Sequence, residues 1–401
     1  MASVTHAVEV AVVGGGPTGL TAAIALAANG VPTALIAPSP PPDNRTTALL
    51  SGSVAALEAL GVWAICAADA APLTAIRLID DTARLVRAPE VTFEASEIGL
   101  AAFGHNIENR HLVAALETRA AALPSLRRID AAATAVEPGD HGIVVRLDNG
   151  GRVEARLVVG ADGRRSLCRA AAGIETEHRS YPQAALTLNI SHGRPHGGVS
   201  TEFHTAHGPF TLVPLPGARS SVVCVVAPAE AERFAALDDA ALSVELERRA
   251  HSILGKVAVE AGCGLFPLGV ETAQRFAGHR IALVGEAAHV IPPIGAQGLN
   301  LGLRDAATIS ELVVKARRAG EDVGSADVLA RYDRLRRADV TGRAMAVDML
   351  NRSLLSDFLP VQGARGFGLY LLDRIAPLRH AVMREGVEPA AQPRLMRGEA
   401  L

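Results

Sequence analysis

The chain has 401 residues, 49% of them apolar and only 3% aromatic, with a formal net charge of −3. That length exceeds one ordinary hydrophobic core and predicts two or three domains, with cores built from Ala, Val and Leu. A near-neutral balance gives no electrostatic footing for nucleic acid or an anionic surface. Cys66, Cys168, Cys224 and Cys263 form no CxxC pair and suit a reducing compartment better than a disulfide framework or a zinc site. Glu9 falls inside the first strand, which is not a signal-peptide layout, and no apolar run approaches the ~18 residues of a membrane span. A soluble, cytoplasmic protein without a transmembrane segment is expected.

Val8 to Val13 reads as a buried strand. Gly14-Gly15-Gly16-Pro17-Thr18-Gly19 follows it and opens a helix that runs through Ala28 and stops at Asn29-Gly30. The spacing is that of the G-x-G-x-x-G turn, whose glycines permit a tight bend, close backbone approach to a pyrophosphate and close helix–strand packing. Set between a strand and a helix, it points to a dinucleotide. The next strand, Thr33 to Ala37, should end in an acid for the adenosine ribose, but Ala37 stands there and the nearest acid is Asp43. Either the loop supplies that contact, from Ser39, Asp43 or Arg45, or the adenine end is held more weakly. Arg45-Thr46-Thr47-Ala48-Leu49 leads into a helix from Val54 to Leu60. Beside a pyrophosphate Arg45 is a candidate clamp; elsewhere it is a solvated surface residue.

Ala75 to Asp80 and Ala83 to Ala88 alternate like a hairpin around Asp80-Asp81. Phe103 to Arg110 opens a helix with apolar positions at Leu112, Val113, Ala115 and Leu116. Ile143 to Leu147 and Val153 to Val159 form a second hairpin across Asn149-Gly150, a strong turn signal. That hairpin runs into Gly160-Ala161-Asp162-Gly163-Arg164-Arg165-Ser166, which is compatible with a plain turn and equally with Asp162 and amides lying beside phosphates. From Ala184 to Val226 short strands (Leu186 to Ile190, Phe210 to Val213, Ser221 to Val226) alternate with Gly/Pro/His turns and no intervening helix. This predicts an inserted antiparallel sheet, a natural substrate cavity. His192, His196, His204 and His207 fall there without metal-ligand spacing, so no metal site is expected.

The most informative stretch runs from Leu283 to Asp305. A buried strand, Ile281 to Val284, stops at Gly285 and places Glu286 at its carboxyl end, where α/β sheets bind ligands. Pro292 and Pro293 stiffen the following turn. Gly295 and Gly298 then precede an apolar helix from about Leu299, whose bare amides and positive dipole end favour an anion. A hydroxyl-binding carboxylate, a stiff wall and an anion-stabilising helix end suit a flavin. Beyond Leu301 the chain reads as helical: Ala306 to Arg318, Ala326 to Asn351, Leu354 to Leu372. Gly363 to Gly368 has the wrong spacing for a second dinucleotide turn. The weakly polar stretch Leu354–Leu372 is expected to be a packed terminal helix, with docking to partners or a membrane as the alternative.

Three separated blocks, Gly14–Gly19, Gly160–Ser166 and Gly285–Asn300, match in order and spacing the signatures of single-component flavin-dependent aromatic hydroxylases, and the chain resembles that family. Its similarity to the ubiquinone-biosynthesis hydroxylases of the UbiH/UbiF type is closer still. Those matches are Phe103-Gly104 through Asn109-Arg110-His111-Leu112, Gly208-Pro209-Phe210 through Leu215-Pro216, and Leu350-Asn351-Arg352 through Leu369. The departures are Glu286 where Asp is commoner, Ala37 in place of the ribose acid, and Cys224 where a Trp is expected, the last with a reshaped cavity as the anticipated consequence.

The resemblance implies an α/β fold like that of p-hydroxybenzoate hydroxylase. A Rossmann-like FAD-binding domain (1–74, 99–180 and 276–350) would carry an inserted, mainly antiparallel β substrate domain (75–98 and 181–275), followed by a C-terminal helical region (351–401). It implies FAD, reduced by NADPH or NADH, and oxygen transfer to a phenolic, polyprenylated ring through a flavin hydroperoxide. The protein then supplies position, electrostatics and dryness. Gly14, Gly15, Gly16, Pro17, Thr18 and Gly19 are assigned to the pyrophosphate, with Arg45, Arg110 and Asp162 as polar contacts. Gly285 and Glu286 are assigned to the ribityl chain. Gly295, Gly298, Leu299 and Asn300 face the reduced ring, and Pro292 and Pro293 wall its reacting side. No acid or base stands out, and His204 is the candidate for the phenol proton. Expected partners are a small aromatic or prenylated phenol, molecular oxygen and other ubiquinone-biosynthesis proteins, and attachment to the inner face of the membrane stays open. An isoprenoid reductase, a halogenase or a non-catalytic FAD-holding component are the alternatives; Trp63, the single tryptophan, speaks against the halogenase.

Overall fold

Val10–Val13 and Thr33–Ile36 are buried at every position, as strands covered on both faces must be. In the computed structural model, which describes residues 5–39, 43–82, 87–293, 295–355, 359–389 and 391–401, they lie side by side in a six-stranded sheet. Its order is 277–278, 281–283, 157–160, 10–13, 33–36, 126–129, parallel except for the first pair. The Pro17–Ala28 helix starts on a proline, where the missing N–H costs nothing, and is buried from Gly19 to Ala27 against that sheet.

The long strand expected at Val153–Val159 is two strands. Arg152–Ala155 alternates exposed and buried and pairs with Ile143–Leu147 in a small outer sheet. Leu157–Gly160 is buried throughout and runs parallel to Val10–Val13 in the central one. The periodicity changes where the chain passes from a one-sided to a two-sided sheet. Gly104–Glu108 is likewise a strand, paired with Thr46–Leu50 and Ala70–Pro72, and the helix begins only at Asn109. A side chain at Gly104 would stand 1.9 Å from the Leu49 carbonyl oxygen, so glycine permits that approach.

Among the described residues the second sheet has nine strands and is antiparallel except where 199–205 runs parallel to 75–80. Its order is 289–290, 264–273, 176–192, 219–226, 208–215, 199–205, 75–80, 91–94, with 257–259 beside 176–192. The hairpin partner of Ala75–Asp80 is Val91–Glu94; of the expected arm, residues 83–86 lie outside the described residues, and the Ala88 amide donates to Asp80. Helices Pro228–Ala235 and Asp239–Arg249, absent from the sequence reading, cover one face of this sheet. Phe234, Leu242 and Leu246 there pack on Leu186, Phe210 and Cys224. The Gln297–Arg318 helix is buried along most of its length and crosses closely over Pro17–Ala28, since a side chain at Gly302 would meet the Thr18 hydroxyl at 2.5 Å. Helices Ala326–Leu355, Leu359–Arg374 and Ala376–Val387 complete the chain. Leu369, Leu372, Met383 and Val387 pack on Phe93 and Phe103, while Phe367, Tyr370 and Val382 stay exposed.

Candidate functional site

Between the carboxyl ends of the parallel strands and the open face of the antiparallel sheet lies a cavity of about 560 Å³. Among the described residues, helices Pro17–Ala28 and Gln297–Arg318 both begin at it. Gly16 precedes Pro17–Ala28 and Ala296 precedes Gln297–Arg318, and neither helix has a side-chain cap on its first amides. Both start in the cavity wall, which includes Gly16, Thr18, Gly19, Gly298 and Leu299. Two unneutralised positive helix ends directed into one cavity favour an anionic occupant. Ala296 is held at φ +55, a left-handed conformation that costs a non-glycine residue of order 1 kcal/mol.

The glycines of the first turn divide their work. Gly14 has φ +117, and a Cβ there would lie 2.1 Å from the Ala161 carbonyl oxygen. At Gly19 it would lie 2.0 Å from the Gly14 oxygen. These two serve internal packing. Gly16 and Gly298 have nothing within 4 Å, so their bare backbone is open to a ligand. A Cβ at Gly15 would meet Ala37 at 2.8 Å, and the Ala37 carbonyl accepts from Arg128 Nη1 at 2.5 Å. The position normally given to the ribose acid is thus closed by packing.

Glu286 is exposed in the cavity wall, directly after the Ile281–Leu283 strand, with Pro292 and Pro293 further along the same wall. Gly285, at φ +60, fits the bend before it. Across the cavity Arg45 makes a two-point pair with Asp43, at 2.9 Å through Nε and 2.8 Å through Nη2, and sits over the Phe266 ring at 5.8 Å. Burial opposes charge on Asp43, but hydrogen bonds from Arg45 and Asn109 hold its carboxyl below the usual range. Arg45 is therefore a fixed cation at the cavity, raised in pKa chiefly by that hydrogen bond.

Seven expected contacts are not in the wall, the tightly packed Gly14 and Gly15 among them. Arg110 turns to Glu108 at 2.7 Å, because this nearly buried carboxylate gathers Arg110, Arg219 and His111. Asp162 spends its carboxylate on the start of the Leu167–Ala171 helix, accepting from Ser166 Oγ at 2.6 Å and the Cys168 amide at 3.0 Å. Its neighbours Ala161, Gly163 and Arg164 form the wall instead. Asn300 is buried and uses its whole amide inside the protein, accepting from Leu50 N and Ser53 Oγ and donating to Ala48 O and Ala296 O. Gly295 lies just outside the lining, with Ala296 in its place. His204 is buried with Nε2 on Glu202 at 2.8 Å, in strand 199–205, one strand further from the cavity than 208–215. Cys224 faces the covering helices, so the expected Trp position does not shape the cavity.

The opposite wall comes from strands 176–192, 208–215, 219–226 and 264–273. Val213, Val223, Phe266 and Leu268 give it an apolar surface, and Asn106, Thr187 and Asn189 add polar points. These four strands bring no ionisable side chain to the wall. Period-two alternation was the only available signal for these positions, and it does not say which face of a sheet meets a cavity. His289, also in the wall, was missed as well. Its Nε2–H donates to Asp305 at 2.7 Å, and Arg336 and Asp339 stand behind that pair. Helical spacing of Arg336, Asp339 and Arg343 signals only the ion pairs within that helix and not their link to His289 and Asp305.

Comparison with known proteins agrees with this architecture. Residues 7–346 match the FAD binding domain family. The ubiquinone hydroxylase UbiL of Rhodospirillum rubrum is 36% identical, over 98% of this chain and 93% of that protein. The 3-demethoxyubiquinol 3-hydroxylase of Escherichia coli is 31% identical, over 94% of this chain and 97% of that protein. Among solved structures, p-nitrophenol 4-monooxygenase PnpA from Pseudomonas putida superposes with a TM-score of 0.79 at 18% identity, covering 96% of this chain and all of that one. The flavin-dependent monooxygenase PieE, solved with FAD and substrate, gives 0.70 at 19%, covering 98% and 72%. The fold is therefore that of these FAD enzymes, and the open backbone at Gly16 and Gly298, the two uncapped helix ends and the carboxylate at Glu286 form a cradle that fits FAD. The chain belongs to the FAD-binding family of flavin-dependent monooxygenases.

Proposed function

We propose that this enzyme hydroxylates an uncharged, prenylated phenol of ubiquinone biosynthesis. The observation that carries the reading is the asymmetry of the cavity, with a helix-end and carboxylate wall on one side and an apolar wall without ionisable groups from the antiparallel sheet on the other. An aromatic acid would need a cation of its own there, whereas Arg45, the cation over Phe266, is already paired with Asp43; a ring with a lipid tail needs apolar surface. The names of the relatives, at 36% and 31% identity over nearly the whole chain, support the same substrate class.

When bound and reduced by NADPH or NADH, FAD supplies the activation of oxygen for insertion into an electron-rich ring. The residues of this chain do the rest. The amides of Gly16, Thr18 and Gly19 with Arg45 would hold the pyrophosphate, Glu286 would accept from a ribityl hydroxyl, and the amides at Gln297–Leu299 would stabilise negative charge on the reduced ring system. Pro292 and Pro293 hold that side rigid, and the aliphatic wall keeps water from the reacting atoms. Exposed Met345, Met349, Phe367 and Tyr370 support work from the cytoplasmic side at a membrane surface; among the described residues no single helix is long and apolar enough to cross a membrane.

The test is oxidation of reduced nicotinamide by the purified holoenzyme with a short-chain prenylated phenol. Stimulation of several-fold, with one labelled atom from ¹⁸O₂ in the product, is expected. No stimulation and no label would overturn the assignment, as would cells lacking the protein that accumulate no under-hydroxylated quinone precursor.

A further inference from the structure

Behind the wall that carries Glu286 lies a buried ion cluster that the cofactor contacts do not use. Asp305, on the Gln297–Arg318 helix, is fully buried. One of its oxygens accepts both the Gly285 amide, at 2.9 Å, and His289 Nε2–H, at 2.7 Å. Gly285 and His289 are the two ends of the short turn that presents Glu286. The other oxygen accepts from Arg336 Nε at 2.6 Å, on the Ala326–Leu355 helix. Arg336 continues to Asp339, which also takes Arg304 and Arg343. Arg343 in turn reaches Gln297 Oε1 at 3.4 Å, in the first turn of the cavity-facing helix.

We propose that Asp305 is a positioning residue for the flavin: one carboxylate clamps both ends of the Glu286 turn, and through Arg336, Asp339 and Arg343 the Ala326–Leu355 helix sets that turn at a fixed distance from the amide-lined start of Gln297–Arg318. Two independent observations converge on it. The hydrogen bonds join the two flavin-facing segments through a third helix that does not touch the cavity. The cluster also holds three guanidinium groups against two carboxylates, and this excess of positive charge lies behind the wall that faces the reduced ring. Burying so many charges is poor strategy for stability alone, since an apolar core of the same volume does at least as well. A role in holding geometry accounts for them. The inference rests on the placement of FAD against Glu286 and Gln297–Leu299.

The test compares variants in full-length holoenzyme by the rate of FAD release, followed as recovery of flavin fluorescence, and by the midpoint potential of the bound flavin. His289→Leu removes the donor to Asp305 and is expected to release FAD about tenfold faster, the loss of one charge-assisted hydrogen bond. His289→Gln places an amide N–H near the same oxygen and should stay within about threefold of the parent. Arg343→Gln, at a site with a side chain 14% exposed, should release FAD about threefold faster and shift the flavin midpoint potential downward. Equal release from the Leu and Gln variants, or release that merely follows melting temperature across the set, overturns the proposal. Should His289→Leu not accumulate as folded protein, Arg343→Gln decides: unchanged release and unchanged potential overturn it. Glu286→Ala separates the two levels. If that variant keeps FAD like the parent, the cofactor placement itself is wrong; if it loses FAD while the His289 and Arg343 variants do not, only the clamp is wrong.

Discussion

Gly16, Gly19, Gly285 and Gly298 on one side of the cavity, and Val213, Val223, Phe266 and Leu268 on the other, bound one volume by different means. The first wall is made of backbone. Its shape depends on φ angles and on the absence of Cβ atoms, as at Gly285 with φ +60 and at the open Gly16. The second wall is made of side-chain volume on a regular antiparallel sheet, where many aliphatic residues of similar size fit. Backbone geometry tolerates few residue types, so the first wall is written in the sequence as fixed spacings. Volume tolerates many, so the second wall is free to follow the substrate.

The sharpest way to break this comparison is to add atoms to the glycine turn that supports and forms the backbone wall. Gly14→Ala places a methyl 2.1 Å from the Ala161 carbonyl oxygen at a φ that alanine avoids, so loss of the fold, at a cost above about 4 kcal/mol, is expected in thermal melts of the apoprotein. A Cβ at Gly16 meets nothing within 4 Å, so the Gly16→Val apoprotein should melt within a few degrees of the parent and yet purify without yellow colour. If Gly16→Val retained flavin absorbance, the wall would not be where the phosphates lie. Glu286→Ala comes next: FAD titration of the apoprotein should weaken by about 10- to 100-fold, the worth of a hydrogen bond to a charged group, with little change in apoprotein melting.

A third difference lies behind the walls. The flavin wall is backed by ions and the substrate wall by Phe210, Phe234 and Leu246. Burial alone would raise the Asp339 carboxyl, but Arg336 and Arg304 beside it hold it down at about 2. Its folded value lies below the unfolded 3.8, so this group's stabilisation is present above pH ~4 and is lost as pH falls toward 2. The amount is about 2 kcal/mol. Asp339→Asn should flatten the acid limb of the stability curve between those values, read by urea unfolding at stepped pH. An unchanged limb would mean that other carboxylates carry it.

How much of this was legible follows the same division. The order strand, Gly14–Gly19, helix and the order strand, Glu286, Pro292-Pro293, helix were readable because glycine and proline report backbone shape directly. Side-chain direction was not. Asp162, Arg110 and Asn300 sit in matching motifs, yet the structure turns each to a local partner: the cap of the Leu167–Ala171 helix, the buried Glu108, and the Leu50–Ser53 turn. A motif fixes where a residue's Cα lies, whereas its carboxylate or amide goes to whichever buried group needs it most. The clamp at Asp305 was invisible for a related reason. Its partners come from Gly285, His289 and Arg336, and no local pattern joins residues so far apart in the chain. His204 was misplaced because alternation identifies a strand without giving its rank in the sheet.

The smallest expected effect tests the side-chain wall itself. Val213 is partly buried and lines the cavity, while Cys224, on the neighbouring strand, faces the opposite side of the same sheet under the covering helices. Val213→Phe adds bulk where the ring or its tail should lie. FAD affinity is then expected within about twofold of the parent, with KM for the prenylated phenol raised about tenfold, near 1.4 kcal/mol. Cys224→Ala removes a buried sulfur from the other face and should cost about 1 kcal/mol of stability with KM unchanged. Paired steady-state kinetics and melts on the two variants check both statements. If Val213→Phe shifted flavin affinity instead of KM, the cavity would be divided the other way round, and the aliphatic strands would be packing the cofactor rather than its substrate.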